Sequence, residues 1–157
     1  MGKATIDATD RKILSLLIRN ARMPFLEIAR ECGISGAAIH QRVKKMEESG
    51  VIRGFRLEVD PTALGYNVSA MIGIRINDPS MNFEIVDGLR RIPEVVECHF
   101  VTGKYNIWTR VYCVDHEHLM HTILDHILRV PGVSETETFI SLSDSFGRQV
   151  SVRVLDQ

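Results

Sequence analysis

Ala29, Gly33, Ile34, Ile39 and Val43 leave the first third of this sequence little freedom of fold. A helix crossed closely by another needs a small residue at the crossing, and Ala29 is one. Four residues later Gly33 tolerates the positive φ of a tight inter-helix turn. Ile34 follows as a plug for a small core, and Ile39 and Val43 lie one turn apart on the helix beyond. The spacing predicts a helix-turn-helix. Its second helix lies in the stretch "CGISGAAIHQRVKKMEESG", with Ser35 as cap and Gly50 as stop. A helix with Ile13, Leu14, Leu17 and Ile18 inward precedes it, Asp7 being its cap and Asp10 an acid in its first turn. A shorter one, between Pro24 and Gly33, turns Ile28 and Cys32 inward.

With Ile39 and Val43 buried, the N-terminal part and outer face of the third helix point away from the protein, as a helix entering the DNA major groove does. Gln41 has the two-pronged amide that pairs with an adenine edge, and His40 can bond a base or a phosphate. Ala37 and Ala38 suit contact with a thymine methyl. Ser35, Arg42, Lys44 and Lys45 suit phosphates, which position a protein without reading sequence. Arg53 and Arg56 just beyond could grip the backbone. The bland alternative is a solvated face on an ordinary three-helix bundle, with Arg42 bracing the motif against Glu27 or Glu31.

From Val51 the pattern changes to alternation. "GVIRGFRLEVD" predicts a short strand pair or wing, and "DPTALGYN", with Pro61 and Gly65, predicts a boundary. The expected division is residues 1–53 as the helix-turn-helix domain, 54–66 as wing and linker, and 67–157 as a second domain. In that domain "NVSAMIGIRIND" is a strand. "SMNFEIVDGLRRIP" is a helix with Phe83, Val86 and Leu89 inward. "EVVECHFVTG" and "YNIWTRVYCV" are strands around Gly103. "DHEHLMHTILDHILRVPG" is a helix, and "VSETETFISLS" a strand whose apolar positions include Val133, Phe139 and Leu142. "GRQVSVRVLDQ" is one further strand. The class is α+β, and the order β-α-β-β-α-β is the ferredoxin-like arrangement.

Charge supports a division. Residues 1–60 carry 11 Lys+Arg against 8 Asp+Glu, while residues 61–157 carry 8 against 12. A mildly basic front and an acidic back suit different partners, although an imbalance this small also arises by chance. Cys32, Cys98 and Cys113 are odd in number, far apart and set among apolar residues, as reduced buried thiols of a cytoplasmic protein are. No apolar run nears the roughly 18 residues of a membrane span, so no membrane partner is expected. "MGKATIDATD" has neither a signal-peptide core nor the myristoylation pattern, Ile6 standing where Ser or Thr is needed. His116, His118, His121 and His126 crowd one helix, and Asp125 lies four residues after His121, but no established ligand spacing appears and no metal is expected. No GxSxG, HExxH or P-loop occurs. The expectation is a protein that is not an enzyme and needs no cofactor, although ferredoxin-like domains do host enzymes.

Taken together, "IDATDRKILSLLIRNAR", "EIARECGISGAAIHQRVKKMEESGVIRGFRLEVDPTALGY", "VTGKYNIW" and "LRVPGVSETETFISL" resemble, in order, the blocks of the Lrp/AsnC family of leucine-responsive and asparagine-responsive transcription regulators. The resemblance is somewhat closer to the AsnC branch, through "IHQRVKKM" and "TGKYNI". It implies a winged helix-turn-helix joined to a ferredoxin-like ligand-sensing domain. It further implies dimers built through the C-terminal sheets, often assembled to octamers, and a free amino acid bound between dimers that shifts assembly or DNA affinity. By this resemblance the protein is a cytoplasmic, nucleoid-associated regulator with double-stranded DNA as partner. The implied effector loop is "VTGKYN", with Thr102, Gly103, Tyr105 and Asn106. Glu135, Thr136 and Thr138 of "ETET" are implied to join it from a neighbouring subunit. From the residues alone, Gly103 permits a turn whose backbone groups meet charged ends, but a plain hairpin turn has the same signature. Many family members carry Asp where this chain has Asn106. A neutral amide supplies no charge for an effector's ammonium group: either another acid such as Glu135 supplies it, or the effector differs, or the site is weak. The AsnC branch resembles this chain in lacking that acid, so the resemblance implies asparagine or a similar polar amino acid. The alternative to a specific regulator is an architectural protein that wraps DNA through phosphates with little sequence preference.

Overall fold

The computed structural model describes residues 5–152, apart from the side chain of Pro79. The chain divides into two compact units. One comprises the residues up to Glu58 together with those from Phe146 onward, and the other is Val59–Ser145. The tail from Phe146 therefore groups with the first unit, whereas the sequence pattern assigns it to the second.

The first unit holds α1 (Ala8–Arg19), α2 (Phe25–Cys32) and α3 (Gly36–Glu48). Asp7 caps α1 by a reciprocal box. Its side chain accepts the Asp10 N–H and its own N–H donates to the Asp10 carboxylate. Gly33 ends α2 at φ 68°, and Ile34 N–H reaches back to the Ala29 carbonyl, closing the inter-helix turn. Ser35 Oγ accepts the Ala38 N–H at the start of α3. Ile13, Leu16, Leu17, Ile28, Ala29, Ile39, Val43 and Met46 form the core. The stripe of α1 is rotated from the expected one, because Leu16 is buried while Ile18 is 43% exposed.

The second unit is one antiparallel sheet in the order β2-β3-β1-β4. Its strands are β1 (Val68–Ile76), β2 (Val95–Phe100), β3 (Ile107–Cys113) and β4 (Val133–Ser141). Helix α4 (Asn82–Arg90) and helix α5 (His116–His121) complete the β-α-β-β-α-β order. One face packs Ala70, Ile72, Ile74, Ile107 and Val111 against Ile85, Leu89, Leu119 and Ile127. The other face carries Met71, Trp108, Arg110 and Phe139.

Other expectations need correction. Phe83 faces out, 80% exposed, because Ile85 and Leu89, one turn apart, set the inward phase of α4. The long helix after Asp115 changes pitch, passing into a π turn over Thr122–His126 and a 3-10 turn over Ile127–Arg129. There Thr122 Oγ donates to the His118 carbonyl one turn back, a side-chain bond that perturbs a helix ladder. Residues 53–60 and 147–152 form no strand. Alternation makes them extended, but a strand also needs a partner ladder, and Leu57 and Val150 stay 86% and 83% exposed. The rest of the expected last strand, 153–157, lies outside the described residues. Leu142 lies beyond the end of β4 and is exposed.

Candidate DNA and effector sites

The exposed side of α3 is built by what its neighbours hold down. Ile39, Val43 and Met46 are buried, which leaves Ala37, Gln41, Lys44 and Lys45 exposed on the outer side. Ser35 is exposed at its cap, and Ala38 is half-buried. His40 is exposed but flanks the face: its ring meets Phe25 of α2 edge-on, centroids 4.7 Å apart. Lys44 is the only one of these with an ion pair described, a loose one to Glu48 at 3.9 Å. Arg53 is exposed on the extended segment after Gly50.

Arg42 departs from this group. Its Nη1 donates to Asp7 Oδ2 and Asp10 Oδ1, each at 2.7 Å. The guanidinium is a brace, as in the bland alternative, but its partners are the caps of α1 rather than Glu27 or Glu31. The Asp10 N–H, with the guanidinium next in weight, holds the Asp7 carboxyl below its usual range. Lys12 Nζ meanwhile donates to the Glu31 carbonyl at the end of α2. A cation at a helix C-terminus is favourably placed, so α1 holds both helices of the motif. The sequence signal for Arg42 lies in the two acids of "DATD", whose spacing shows only a cap.

On the sheet, Tyr105 does not wall an open pocket. Its ring lies over Gly73, where an added Cβ would come within 2.7 Å of it. The ring is buried and meets Trp108 edge-on, and Trp108 in turn meets Phe139 at 5.3 Å. Asn106 Oδ1 accepts the Ile76 N–H at 3.1 Å, beside the bulge in β1. Gly103 has φ 122°, and Thr102 and Gly103 are exposed. The "ETET" residues divide across the pleat. Register pairs Glu135 with Arg75 and Glu137 with Gly73, on the open face, while Thr136 and Thr138 pair with the buried Ile74 and Ile72. Glu135 bonds Arg75 at 3.3 Å, and Glu137 bonds Lys104 of the loop. Within one chain, then, Glu135 and Thr136 do not share a face. A groove of 260 Å³ between α4 and β2 is lined by Val86, Arg90 and Cys98 among others, but by none of these candidates. Further along the open face Arg110 bonds Asp144 and Tyr112, its Nε lies 3.9 Å from Glu97 Oε2 in a loose ion pair, and Ser69 Oγ is buried without a described hydrogen-bond partner. Burial pushes the Cys98 and Cys113 thiols up, which disfavours thiolate. Among the described residues no group of three metal-ligating side chains converges, and no helix is long and apolar enough to cross a membrane.

Residues 6–53 match the model of winged helix-turn-helix DNA-binding domains, and residues 69–150 match the Lrp/AsnC ligand binding domain. This chain belongs to the Lrp/AsnC family. The regulatory protein AsnC of Escherichia coli strain K12 is 36% identical over 150 residues, covering 96% of this chain and 99% of that protein. An HTH-type transcriptional regulator of Pyrococcus horikoshii is 34% identical over 140 residues, covering 89% and 91%. The structure of E. coli AsnC superposes with a TM-score of 0.85 at 35% identity, covering 94% of this chain and 99% of that one. A feast or famine regulatory protein from M. tuberculosis, complexed with L-methionine, superposes with a TM-score of 0.86 at 28% identity, covering 94% and 99%. As an Lrp/AsnC protein the chain is a DNA-binding transcription regulator with a separate effector-binding domain.

Proposed function

We propose that the regulator's assembly or DNA affinity is set by a free amino acid, asparagine or a similar polar one, at the 102–106 loop. The carrying observation is the state of Asn106. Its oxygen is taken by the Ile76 N–H, so the group it offers is the amide NH2. That donor suits an oxygen acceptor, such as a carboxylate or a side-chain amide, better than an ammonium group. Thr102 and Gly103 offer backbone and hydroxyl groups beside it. Of the residues that a neighbouring copy would lend, Glu135 lies on the open face, where a second chain can reach it, whereas Thr136 and Thr138 lie on the helix-covered face. The M. tuberculosis relative with L-methionine bound supports a free amino acid as the effector class.

On DNA, Gln41, Ala37, Ala38 and His40 read bases, while Ser35, Lys44, Lys45 and Arg53 hold phosphates. Copies pair through the open sheet face, whose apolar Met71, Trp108 and Phe139 are flanked by acids and bases of both signs. That mixture suits a self-complementary two-fold contact. Dimers then assemble to an octamer, in the cytoplasm and on the nucleoid.

Trp108 is the only tryptophan and touches Tyr105, so it reports on the loop. Its fluorescence and the melting temperature are followed against a panel of free amino acids. A ligand that binds only the folded state adds about 2.7 kcal/mol at a hundredfold excess over Kd. A saturable response to asparagine is expected, with Asn106→Asp shifting the preference while still accepting the Ile76 N–H. A response to leucine and none to asparagine would overturn the polar-effector assignment. Random DNA competing as well as a selected site would point to the architectural role instead.

A further inference from the structure

The cations around the recognition helix are not equivalent. Lys44 and Lys45 stand on the outer side of α3 and are exposed, as groups that meet phosphates must be. Arg42 lies at the flank of the buried row, next to Val43, and its side chain is 35% exposed. It is held by two carboxylates at once. Each of those carboxylates has its other oxygen committed to the backbone of α1: Asp7 Oδ1 accepts the Asp10 N–H at 2.8 Å, and Asp10 Oδ2 accepts the Asp7 N–H at 3.1 Å. The acceptors are therefore fixed by the helix cap and are not swinging side chains, and Asp10 is only 14% exposed. A phosphate approaching Arg42 would meet the negative charge of both acids. The planar guanidinium, unlike an ammonium group, has a geometry suited to joining two fixed oxygens.

We propose that Arg42 is a positioning residue for DNA recognition: it fixes α3 against α1 by gripping the capping carboxylates of Asp7 and Asp10, and it touches no phosphate. The N-terminal cap of α1 is thereby part of the device that aims Gln41. The proposal rests on α3 being the DNA-reading helix.

The test measures binding of the full chain to two duplexes across a range of KCl. One is recovered by the wild-type protein from a random-sequence pool, and the other is a scramble of it. Each phosphate that a variant leaves without its cation lowers the slope of log K against log salt by about 0.9. Lys45→Ala should weaken both duplexes alike and lower that slope. Arg42→Ala should weaken the selected duplex at least tenfold more than the scramble, with the slope unchanged. Arg42→Lys keeps the charge and is the variant to use should Arg42→Ala fail to fold; it should show the same loss of preference. Asp10→Ala gives the sharpest contrast. Removing an acid favours DNA binding on charge alone, whereas loss of the brace should weaken the selected duplex. A lowered slope with equal loss on both duplexes in the Arg42 variants would overturn the proposal, as would tighter binding by Asp10→Ala or no change in either. If the wild type itself recovers no preferred duplex, the assignment of α3 as the reading helix fails first, and this proposal falls with it.

Discussion

Side chains beside the recognition face of the N-terminal unit are tied down, and the face itself is left open. In the C-terminal unit the candidate effector residues are the ones tied down. Arg42 and Lys12 are bound to caps and helix ends, while Gln41 and Lys45 face solvent. Around the loop, by contrast, Tyr105 is buried on Gly73, Asn106 is bonded to Ile76, Glu135 to Arg75 and Glu137 to Lys104. On the function proposed above, the first site is preorganised for DNA and would bind it at little rearrangement cost. The second is satisfied within one chain, so on the same proposal a ligand or a second copy would exchange internal bonds for new ones. A site of that kind suits a switch, because what binds there also changes what the sheet face presents.

Two glycines offer the largest test of this difference. Gly73 has no room for a side chain: a Cβ would press on the Tyr105 ring at 2.7 Å. Gly73→Ala should cost about 1–3 kcal/mol, the range for overpacking a well-filled site, and should shift Trp108 emission as the ring moves. Gly36, at the start of α3, meets only Leu26 at an ordinary 3.6 Å. Gly36→Ala should therefore be neutral or stabilise by up to about 1 kcal/mol through the unfolded chain. Chemical denaturation of the two variants measures both. Equal destabilisation would mean that the loop region is no more tightly closed than the helix start.

The open face gives the next test. Gln41→Ala should relax preference at one base pair by about 1–3 kcal/mol, the worth of a two-pronged base contact. Lys44→Ala should weaken every duplex alike and lower the salt slope by about 0.9. Competition binding with single-base variants separates them. If both variants showed the same drop in specificity, the outer face would be working as one charged surface rather than as readers and holders.

The helix-turn-helix was legible because its determinants are local. Ala29, Gly33, Ile34, Ile39 and Val43 fall within one short stretch, and each does what its spacing implies. The β-α-β-β-α-β order of the second unit followed from the alternation of elements. What was not legible depended on distant partners. Arg42 finds its acids more than thirty residues upstream, and Gly73 is required by a tyrosine that follows by about as many. Residues 53–60 carry the pattern of a strand, but a pattern cannot supply the strand that would pair with it. In the sequence Asn106 stands out by the charge it lacks, whereas its oxygen is engaged by the Ile76 backbone, a bond that an aspartate would also make.

The smallest effect concerns the irregular end of α5, where the two units differ once more. Its His121 Nδ1 lies 2.9 Å from Asp125 Oδ2. That hydrogen bond raises the His121 pKa above 6.5, and the same bond lowers the Asp125 pKa below 3.8. The signs set a window. The contribution of His121 is fully present below pH 6.5 and is lost as pH rises through its folded value. The contribution of Asp125 is present above pH 3.8 and is lost as pH falls through its own. The pair therefore stabilises only between those limits, and weakly, since both side chains are more than half exposed. The brace at Asp7 has no basic-side limit in the same range, because its partner is an arginine. An NMR titration should find His121 above 6.5, and Asp125→Asn should return it to about that value. An unchanged His121 in that variant would show that the pair is not formed in solution.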